Sequence, residues 1–259
     1  MMNKYTMSRI DKLNKLDRIR YTKYMKLLLT SNGFLNTPVE KDFWDLIGSR
    51  KNLKVAIIPT ASDPIEWVPE TPGGKKYIAK LIRPNNAGEG KGEDYLYFKN
   101  KDFDVIVADL KEGPEILRKK LENVDVICVP GGDPNYLVDW AKKASLGAYL
   151  RSLLERGVVY VGASAGSQLV LPDFGLTWWD PVKWEGEDHA GLGIVDFVLV
   201  PHQKESDPEK KMEALMTRKK YLQSIIDFPW RVYLLQDGQA IKVDGDKVEH
   251  IGLGIKEYI

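Results

Sequence analysis

The stretch VVYVGASAGSQLVLP, residues 158–172, joins an apolar segment to a helix-compatible segment through a Gly-x-Ser-x-Gly pattern centred on Ser164. Three fixed positions are a weak signal, because about one chain in ten of this length would carry them by chance. The context is more informative, since a strand, a sharp turn and a helix form the nucleophile elbow of hydrolases. Gly162 and Gly166 would remove the side chains that clash in such a turn. Ser164 is therefore either a nucleophile or a small residue that ends a buried strand.

Apolar segments alternate with helical patterns on both sides of this stretch. Apolar runs predict strands at 25–33, 53–62, 103–110, 124–132 and 195–201. Helical periodicity predicts helices at 39–50, 113–124, 134–143 and 146–157, with a further helix near KKYIAKLI, residues 75–82. Continuous apolar strands between helices indicate an α/β fold with a mostly parallel sheet and helices on both faces. The tail, residues 232–252, has short strands separated by Asp-Gly turns and predicts an antiparallel hairpin at the sheet edge.

Composition sets bounds on the function. The 259 residues carry a formal net charge of +1, which argues against a general nucleic-acid binder, and no apolar run approaches the roughly 18 residues of a membrane span. The single cysteine, Cys128, lies in an apolar run and is expected to be a packed core thiol in a protein of the reducing cytosol. Residues 1–24 are basic and lack the apolar core of a secretory signal. We expect them to be a poorly ordered extension or a start assigned too early, and residues 25–259 to form one domain.

A serine nucleophile needs a base, and the sequence offers three histidines. His250 ends the last hairpin strand, and His189 lies in a polar loop. His202 directly follows the apolar run 195–201, so it stands at a strand end, as Ser164 does. Ligand sites of open α/β sheets gather at the carboxyl ends of strands. The pattern therefore predicts His202 as the base, and the scattered histidines and lone cysteine predict no metal site and no cofactor.

The acid that orients the histidine is expected between Ser164 and His202. Asp180, in TWWDP, is the first choice because its aromatic and proline neighbours are able to bury it beside an imidazole, and Asp188 is the second. The order serine, acid, histidine is also that of α/β-hydrolases. However, His202 follows Ser164 by only 38 positions, which is too short for the further β/α units of that fold.

Taken together, these pieces resemble the serine peptidase family of peptidase E (aspartyl dipeptidase) and cyanophycinase. The matching segments, in the family's order, are LLLTSNG, AIIPTAS, VPGGDPNYL, GASAGSQLVLP, GLGIVDFVLVPH and the terminal DGQAIKVDGDKVEHIG. The resemblance spans residues 25–255 and implies a flavodoxin-like, class I glutamine amidotransferase-like fold. It also implies that Ser164 is the nucleophile, His202 the base and Asp180 the acid.

The resemblance further implies an oxyanion hole formed by the amides of Gly131 or Gly132 and of Ala165. Asp133 stands where the family often has a small residue. Its carboxylate would either select a substrate amino group or cap the helix that starts at Pro134. Asn135 is a further candidate for the substrate pocket.

Trp178 and Trp179, in the loop after the elbow, would either line the substrate pocket or pack the loop on the sheet. The hypothesis from sequence is a cytosolic serine hydrolase that cleaves small peptides, with no nucleic-acid or membrane partner, and a homodimer is left open. The alternatives are a non-catalytic binding or regulatory module with the same fold and an amidotransferase-like amidase, a class whose elbow carries cysteine.

Overall fold

The protein is described by a computed structural model that covers residues 24–63, 65–69, 77–81, 92–175, 189–203 and 230–258. Within these ranges the strands are β1 (Lys26–Thr30), β2 (Lys54–Ile57), β3 (Ile65–Pro69), β4 (Tyr77–Leu81), β5 (Asp104–Val107), β6 (Val126–Val129), β7 (Val159–Ala163), β8 (Phe197–Val200), β9 (Arg231–Leu234), β10 (Gln239–Asp244), β11 (Lys247–Gly252) and β12 (Glu257–Tyr258). The helices are α1 (Glu40–Ile47), α2 (Glu93–Asn100), α3 (Pro114–Leu121), α4 (Pro134–Lys143), α5 (Leu146–Glu155) and α6 (Ala165–Leu169).

Seven strands form the main sheet in the order β11-β10-β1-β7-β6-β2-β5. The last five strands of this order are parallel, whereas β10 and β11 form an antiparallel hairpin at the sheet edge, as the tail sequence predicted. If β2 is counted first and β1 last, the parallel strands follow the flavodoxin-like order 2-1-3-4-5. The N-terminal strand thus fills the position that the fifth strand holds in that fold.

Helices cover both faces of the sheet, which explains why its central strands are apolar throughout. In β1, Leu27 and Leu29 pack in a core with helices α3–α6. Leu28 points to the opposite face, where it packs with Phe43 of α1 and Phe98 of α2. Both cores are fully enclosed at these positions, with exposures of 0% for all five side chains.

Strand β8 belongs to a smaller sheet. Along the chain, β8 follows helix α6 and precedes the hairpin formed by β10 and β11. Strand β8 pairs parallel with β9, which pairs antiparallel with β12. Because β8 and β9 run in the same direction, the residues that follow them leave the sheet at the same end.

The helix predicted near residues 75–82 is wrong. Residues Tyr77–Leu81 form β4, which pairs antiparallel with β3. Periodicity cannot separate helix from strand in so short an apolar run, and the partner segment, IEWVP, is rich in residues that favour strands. Pairing with β3 decides the conformation.

The elbow after β7 requires glycine at two positions because backbone approaches backbone there. A Cβ on Gly162 would lie 2.7 Å from the backbone of Gly166, and a Cβ on Gly166 would lie 1.9 Å from the carbonyl oxygen of Val129. The turn is also held by Tyr160, whose hydroxyl donates to the carbonyl of Gly166 over 2.7 Å. Close packing of α6 on β6 and β7 therefore fixes where Ser164 emerges.

We expect Gly166→Ala to lower the free energy of unfolding by about 3 kcal/mol or more, because the added methyl overlaps a carbonyl that cannot move without β6. Urea denaturation followed by circular dichroism measures the change. Gly147→Ala is the matched control, since a Cβ there meets Leu192 at an ordinary 3.5 Å. Gly147 lies inside α5, so this variant is expected to be neutral or stabilised by up to about 1 kcal/mol. Equal effects of the two substitutions would contradict the packing argument.

Candidate active site

Strand register brings several chain segments to one edge of the main sheet. Thr30, the last residue of β1, lies opposite Ala163 of β7 on one side and Ala240 of β10 on the other. Ser31 and Ser164 therefore leave parallel strands side by side. Because β10 is antiparallel to β1, the residues that precede β10 reach this same edge.

Ser164 sits in the elbow with a backbone conformation that non-glycine residues rarely adopt, φ +49° and ψ −109°. Its amide N–H donates to the carbonyl oxygen of Thr30 over 3.1 Å, so the turn is anchored on the neighbouring strand. Ser167 strengthens this anchor, since its hydroxyl lies 2.8 Å from the carbonyl oxygens of both Thr30 and Gly162. The elbow predicted from the Gly-x-Ser-x-Gly pattern is thus present.

His202 lies within hydrogen-bond distance of Ser164, with 2.9 Å between its Nε2 atom and the serine Oγ. Its position follows from the smaller sheet, because His202 comes two residues after the end of β8. The histidine backbone adopts φ +59°, so the imidazole is presented from a second strained turn. The other ring nitrogen, Nδ1, lies 2.9 Å from Oδ1 of Asp237.

Asp237 stands in the turn between β9 and β10, next to the end of β8 where His202 emerges. A carboxylate accepts hydrogen bonds, so the Nδ1 atom carries the ring proton when His202 is neutral. The Nε2 lone pair is then directed at the hydroxyl proton of Ser164. The three side chains form an unbroken chain from carboxylate to imidazole to hydroxyl, which is the arrangement that lets a serine lose its proton as it attacks.

Sequence reasoning missed Asp237 because it placed the acid between Ser164 and His202. The dipeptide Asp237-Gly238 is typical of a hairpin turn, and the sequence pattern indicates no other role for it. What brings the carboxylate to His202 is the pairing of β10 with β1 and of β8 with β9, which are contacts between distant segments. A useful signal was the apolar run VYLL just before Asp237, since that run places the aspartate at a strand end, as for Ser164 and His202.

The residues predicted in the loop after the elbow, two as the acid of the triad and two as candidates for the substrate pocket, lie outside the described residues. They are Asp180, Asp188, Trp178 and Trp179. Their predicted roles stay predictions.

The glycine-rich loop after β6 lies directly beside Ser164. A Cβ on Gly131 would be 3.4 Å from the Cβ of Ser164, and a Cβ on Gly132 would overlap the carbonyl oxygen of Ala61 at 2.0 Å. The hydroxyl of Ser62 donates to the carbonyl oxygen of Gly131 over 3.0 Å, so the peptide between the two glycines is held from behind. Within the described ranges, no acceptor meets the amide N–H of Gly131, Gly132 or Ala165. Donors without an acceptor among the described residues are compatible with the predicted oxyanion hole, which stays a prediction.

The structure favours the capping role of Asp133 over recognition of a substrate amine. Its carboxylate accepts from the amide N–H of Tyr136 over 2.9 Å, and its own amide donates to the carbonyl of Ala61. Asn135 lies in the first turn of α4, next to this cap. Asp133 thus joins the loops after β2 and β6.

A buried glutamine fixes the turn that carries Asp237. Gln239 is fully enclosed, and its Oε1 accepts from the amide of Gln236 and from Nε2 of His250 over 3.0 and 3.1 Å. Its Nε2 donates to the carbonyl oxygens of Leu253 and Ile255. Burial, together with the charge of Lys256, lowers the pKa of His250 to about 4, so this histidine is neutral at physiological pH and donates to the glutamine.

We expect His250 to make the free energy of unfolding fall as the pH is lowered from 6.5 towards 4. Between these values the unfolded chain binds a proton at His250 and the folded chain does not. The stability of the fold that depends on a neutral His250 is therefore complete above pH 6.5 and is lost progressively as the pH falls towards 4. His250→Gln keeps a neutral donor and does not titrate. Urea denaturation at pH 7, 5.5 and 4.5 should show a smaller loss in this variant than in the wild type, and identical losses would contradict the assignment.

In the part of the chain that the structure describes, no group of three or more His, Cys, Asp or Glu side chains is placed to hold a metal ion. Nor do the helices of those residues include one with the length and apolarity needed to cross a bilayer.

The fold and the site define an α/β protein with the serine, histidine and carboxylate constellation of serine hydrolases. Comparison with known proteins identifies the family: the model of peptidase family S51 matches residues 94–251. The chain belongs to peptidase family S51, which confirms the resemblance predicted from its sequence.

Individual relatives agree with this assignment. A peptidase E of Streptomyces coelicolor is 29% identical over 149 residues, which are 56% of this chain and 59% of that protein. An uncharacterised peptidase of Listeria innocua is 26% identical over 181 residues, 69% of this chain and 77% of that protein. The match thus spans about three fifths of the first relative. The crystal structure of a candidate peptidase E from Listeria monocytogenes superposes with a TM-score of 0.63 at 20% identity, covering 89% of this chain and 99% of that one, which confirms the fold.

Proposed function

We propose that this chain is a serine peptidase that cleaves small peptides through an acyl-enzyme intermediate on Ser164. The observation that carries the proposal is the chain of two 2.9 Å contacts from Asp237 through His202 to Ser164. Membership of peptidase family S51 supports peptides as the substrate class. Small size of the substrate, a cytoplasmic location and a homodimer stay predictions.

The proposed reaction begins when Ser164 Oγ attacks the carbonyl carbon of the scissile amide while its proton moves to Nε2 of His202. The carbonyl oxygen becomes an oxyanion, and we assign its stabilisation to the amides of Gly131 or Gly132 and of Ala165. Asp237 accepts from Nδ1–H throughout, which holds the ring orientation and stabilises the imidazolium.

When this intermediate collapses, the bond between carbon and nitrogen breaks and the amine leaves with the proton from Nε2. An ester then remains on Ser164. A water molecule then attacks the ester while its proton moves to Nε2 of His202. The second intermediate collapses, Nε2 returns the proton to Ser164 Oγ, and the carboxylic acid product is released. The half-exposed side chains of His202 and Asp237, 47% and 51%, are compatible with entry of substrate and water.

The alternatives have less support. A non-catalytic binding module would be favoured by a serine and histidine out of reach of each other, whereas their side chains lie 2.9 Å apart. An amidotransferase-like amidase needs a cysteine at the elbow. Cys128, the one cysteine of the sequence, is enclosed in β6, where burial raises the pKa of its thiol well above the usual value.

We expect Ser164→Ala to abolish both covalent labelling by a fluorophosphonate probe and release of products from a dipeptide library read by mass spectrometry. The probe reports the activated serine without knowledge of the substrate. Ser152→Ala is the matched control, because Ser152 lies on α5 and its hydroxyl donates to the carbonyl of Tyr149. A folded wild-type protein that is neither labelled nor active on any dipeptide would count against the proposal.

A second pair of variants separates the two candidate acids. Asp237→Asn should slow the labelling rate by about a thousandfold or more, since an amide in that position favours the wrong tautomer of the histidine. Asp180→Asn should stay within about threefold of the wild type. The opposite pattern would restore Asp180 as the acid and leave Asp237 with a structural role.

A further inference from the structure

Ser31 is a buried serine that follows β1 and lies beside the triad without belonging to it. Its side chain has an exposure of 0%, and its amide N–H donates to the carbonyl oxygen of Gln239 over 3.0 Å. The backbone of Ser31 is therefore held against the start of β10, two residues beyond Asp237.

The hydroxyl of Ser31 contacts both partners of the proposed acid–base pair. It lies 2.8 Å from Oδ1 of Asp237 and 2.8 Å from the backbone amide of His202. An amide N–H can only donate and a carboxylate can only accept, so the direction of both bonds is determined. The serine accepts from His202 and gives its own proton to Asp237.

One of these bonds reaches a strained backbone and the other a carboxylate oxygen that accepts two hydrogen bonds. His202 has φ +59°, a conformation that costs a non-glycine residue energy and persists only when neighbouring groups hold it. Oδ1 of Asp237 receives both the imidazole N–H and the Ser31 hydroxyl. Ser31 is separated from His202 by 171 positions and from Asp237 by 206, so a single hydroxyl fixes the relative position of two distant segments.

We propose that Ser31 is a positioning residue of the triad, whose hydroxyl couples the backbone of the base to the carboxylate of the acid. It acts through Asp237 and His202 and does not touch the substrate. This role rests on the proposed function, because it has a catalytic meaning only if Ser164 is a nucleophile.

A neighbouring serine, Ser167, has a hydroxyl that contacts backbone carbonyls and serves for comparison with Ser31. Ser167 is equally buried, but its hydroxyl lies against the backbone carbonyls of Thr30 and Gly162. Ser31, in contrast, meets an ionisable side chain and the backbone of the base. The loss of Ser31 should therefore change reactivity as well as stability.

The test is a double-mutant cycle between Ser31 and Asp237, read as the rate of labelling of Ser164 by a fluorophosphonate probe. Ser31→Ala should slow labelling by about 10-fold to 100-fold, the range expected when a hydrogen bond to a charged group is lost. In an Asp237→Ala background the same substitution should cost at most a few-fold, because the coupled partner is already absent. Ser31→Thr, which keeps the hydroxyl, should recover most of the rate.

Controls separate this proposal from the function on which it rests. Ser152→Ala should label at the wild-type rate, and thermal unfolding should show that each variant is folded at the assay temperature. If Ser31→Ala does not fold, Ser31→Thr is compared with Ser31→Cys, whose thiol is a weak donor, and the threonine variant should label faster.

Two results would overturn the proposal in different ways. In the first, the wild type is labelled, but Ser31→Ala changes the labelling rate by less than twofold, or the rate factors of Ser31→Ala and Asp237→Ala simply multiply in the double variant. This result removes the coupling role and leaves the proposed function intact. A folded wild-type protein that is not labelled at all removes the proposed function, and the positioning role with it.

Discussion

The pairing of β1 with β7 on one side and with β10 on the other is the constraint on which the site depends. Parallel pairing sets Ser164 beside the end of β1, and antiparallel pairing returns the chain to that same end with Asp237 just before β10. A shift of one residue in either register would reverse which side chains face each core and would separate these groups. The three consecutive leucines of β1, Leu27, Leu28 and Leu29, are buried on alternating faces and anchor the strand in both cores. The hydroxyl of Thr30 donates to the carbonyl oxygen of Gly162 over 2.9 Å, a bond that a shifted register would break.

The site combines a rigid frame with accessible reactive groups. Thr30 and Ser31 at the end of β1 are fully buried, whereas His202 and Asp237 are about half exposed. Polar contacts between half-exposed side chains are weakly held, so the hydrogen bond between His202 and Asp237 alone would not hold a defined geometry. Order comes from the hydrogen bonds behind it: the buried side chain of Gln239 fixes the turn that carries Asp237, and the hydroxyl of Ser62 holds the loop of Gly131.

The parts of the fold and site that could be predicted from sequence are those written in local patterns. Alternating apolar and helical segments predict the parallel sheet, and the glycines around Ser164 predict the elbow. The strand before His202 predicts a histidine at a strand end, although β8 lies in the smaller sheet and not in the main sheet that carries Ser164. Asp237 could not be found in this way, because its place depends on strand pairings between distant segments. The error at Tyr77–Leu81 has the same origin, since pairing with β3 overrides an ambiguous local pattern.

The residues at the end of β1 hydrogen-bond to the two strained residues of the site. Ser164 and His202 are both held at positive φ, +49° and +59°, and such conformations cost about 1–3 kcal/mol each and persist only where the surroundings hold them. The amide of Ser164 donates to the carbonyl of Thr30, and the amide of His202 donates to the hydroxyl of Ser31. Two consecutive residues thus satisfy the backbone of both strained groups. The same strand end therefore determines where the serine and the histidine meet, and a change there is transmitted to both.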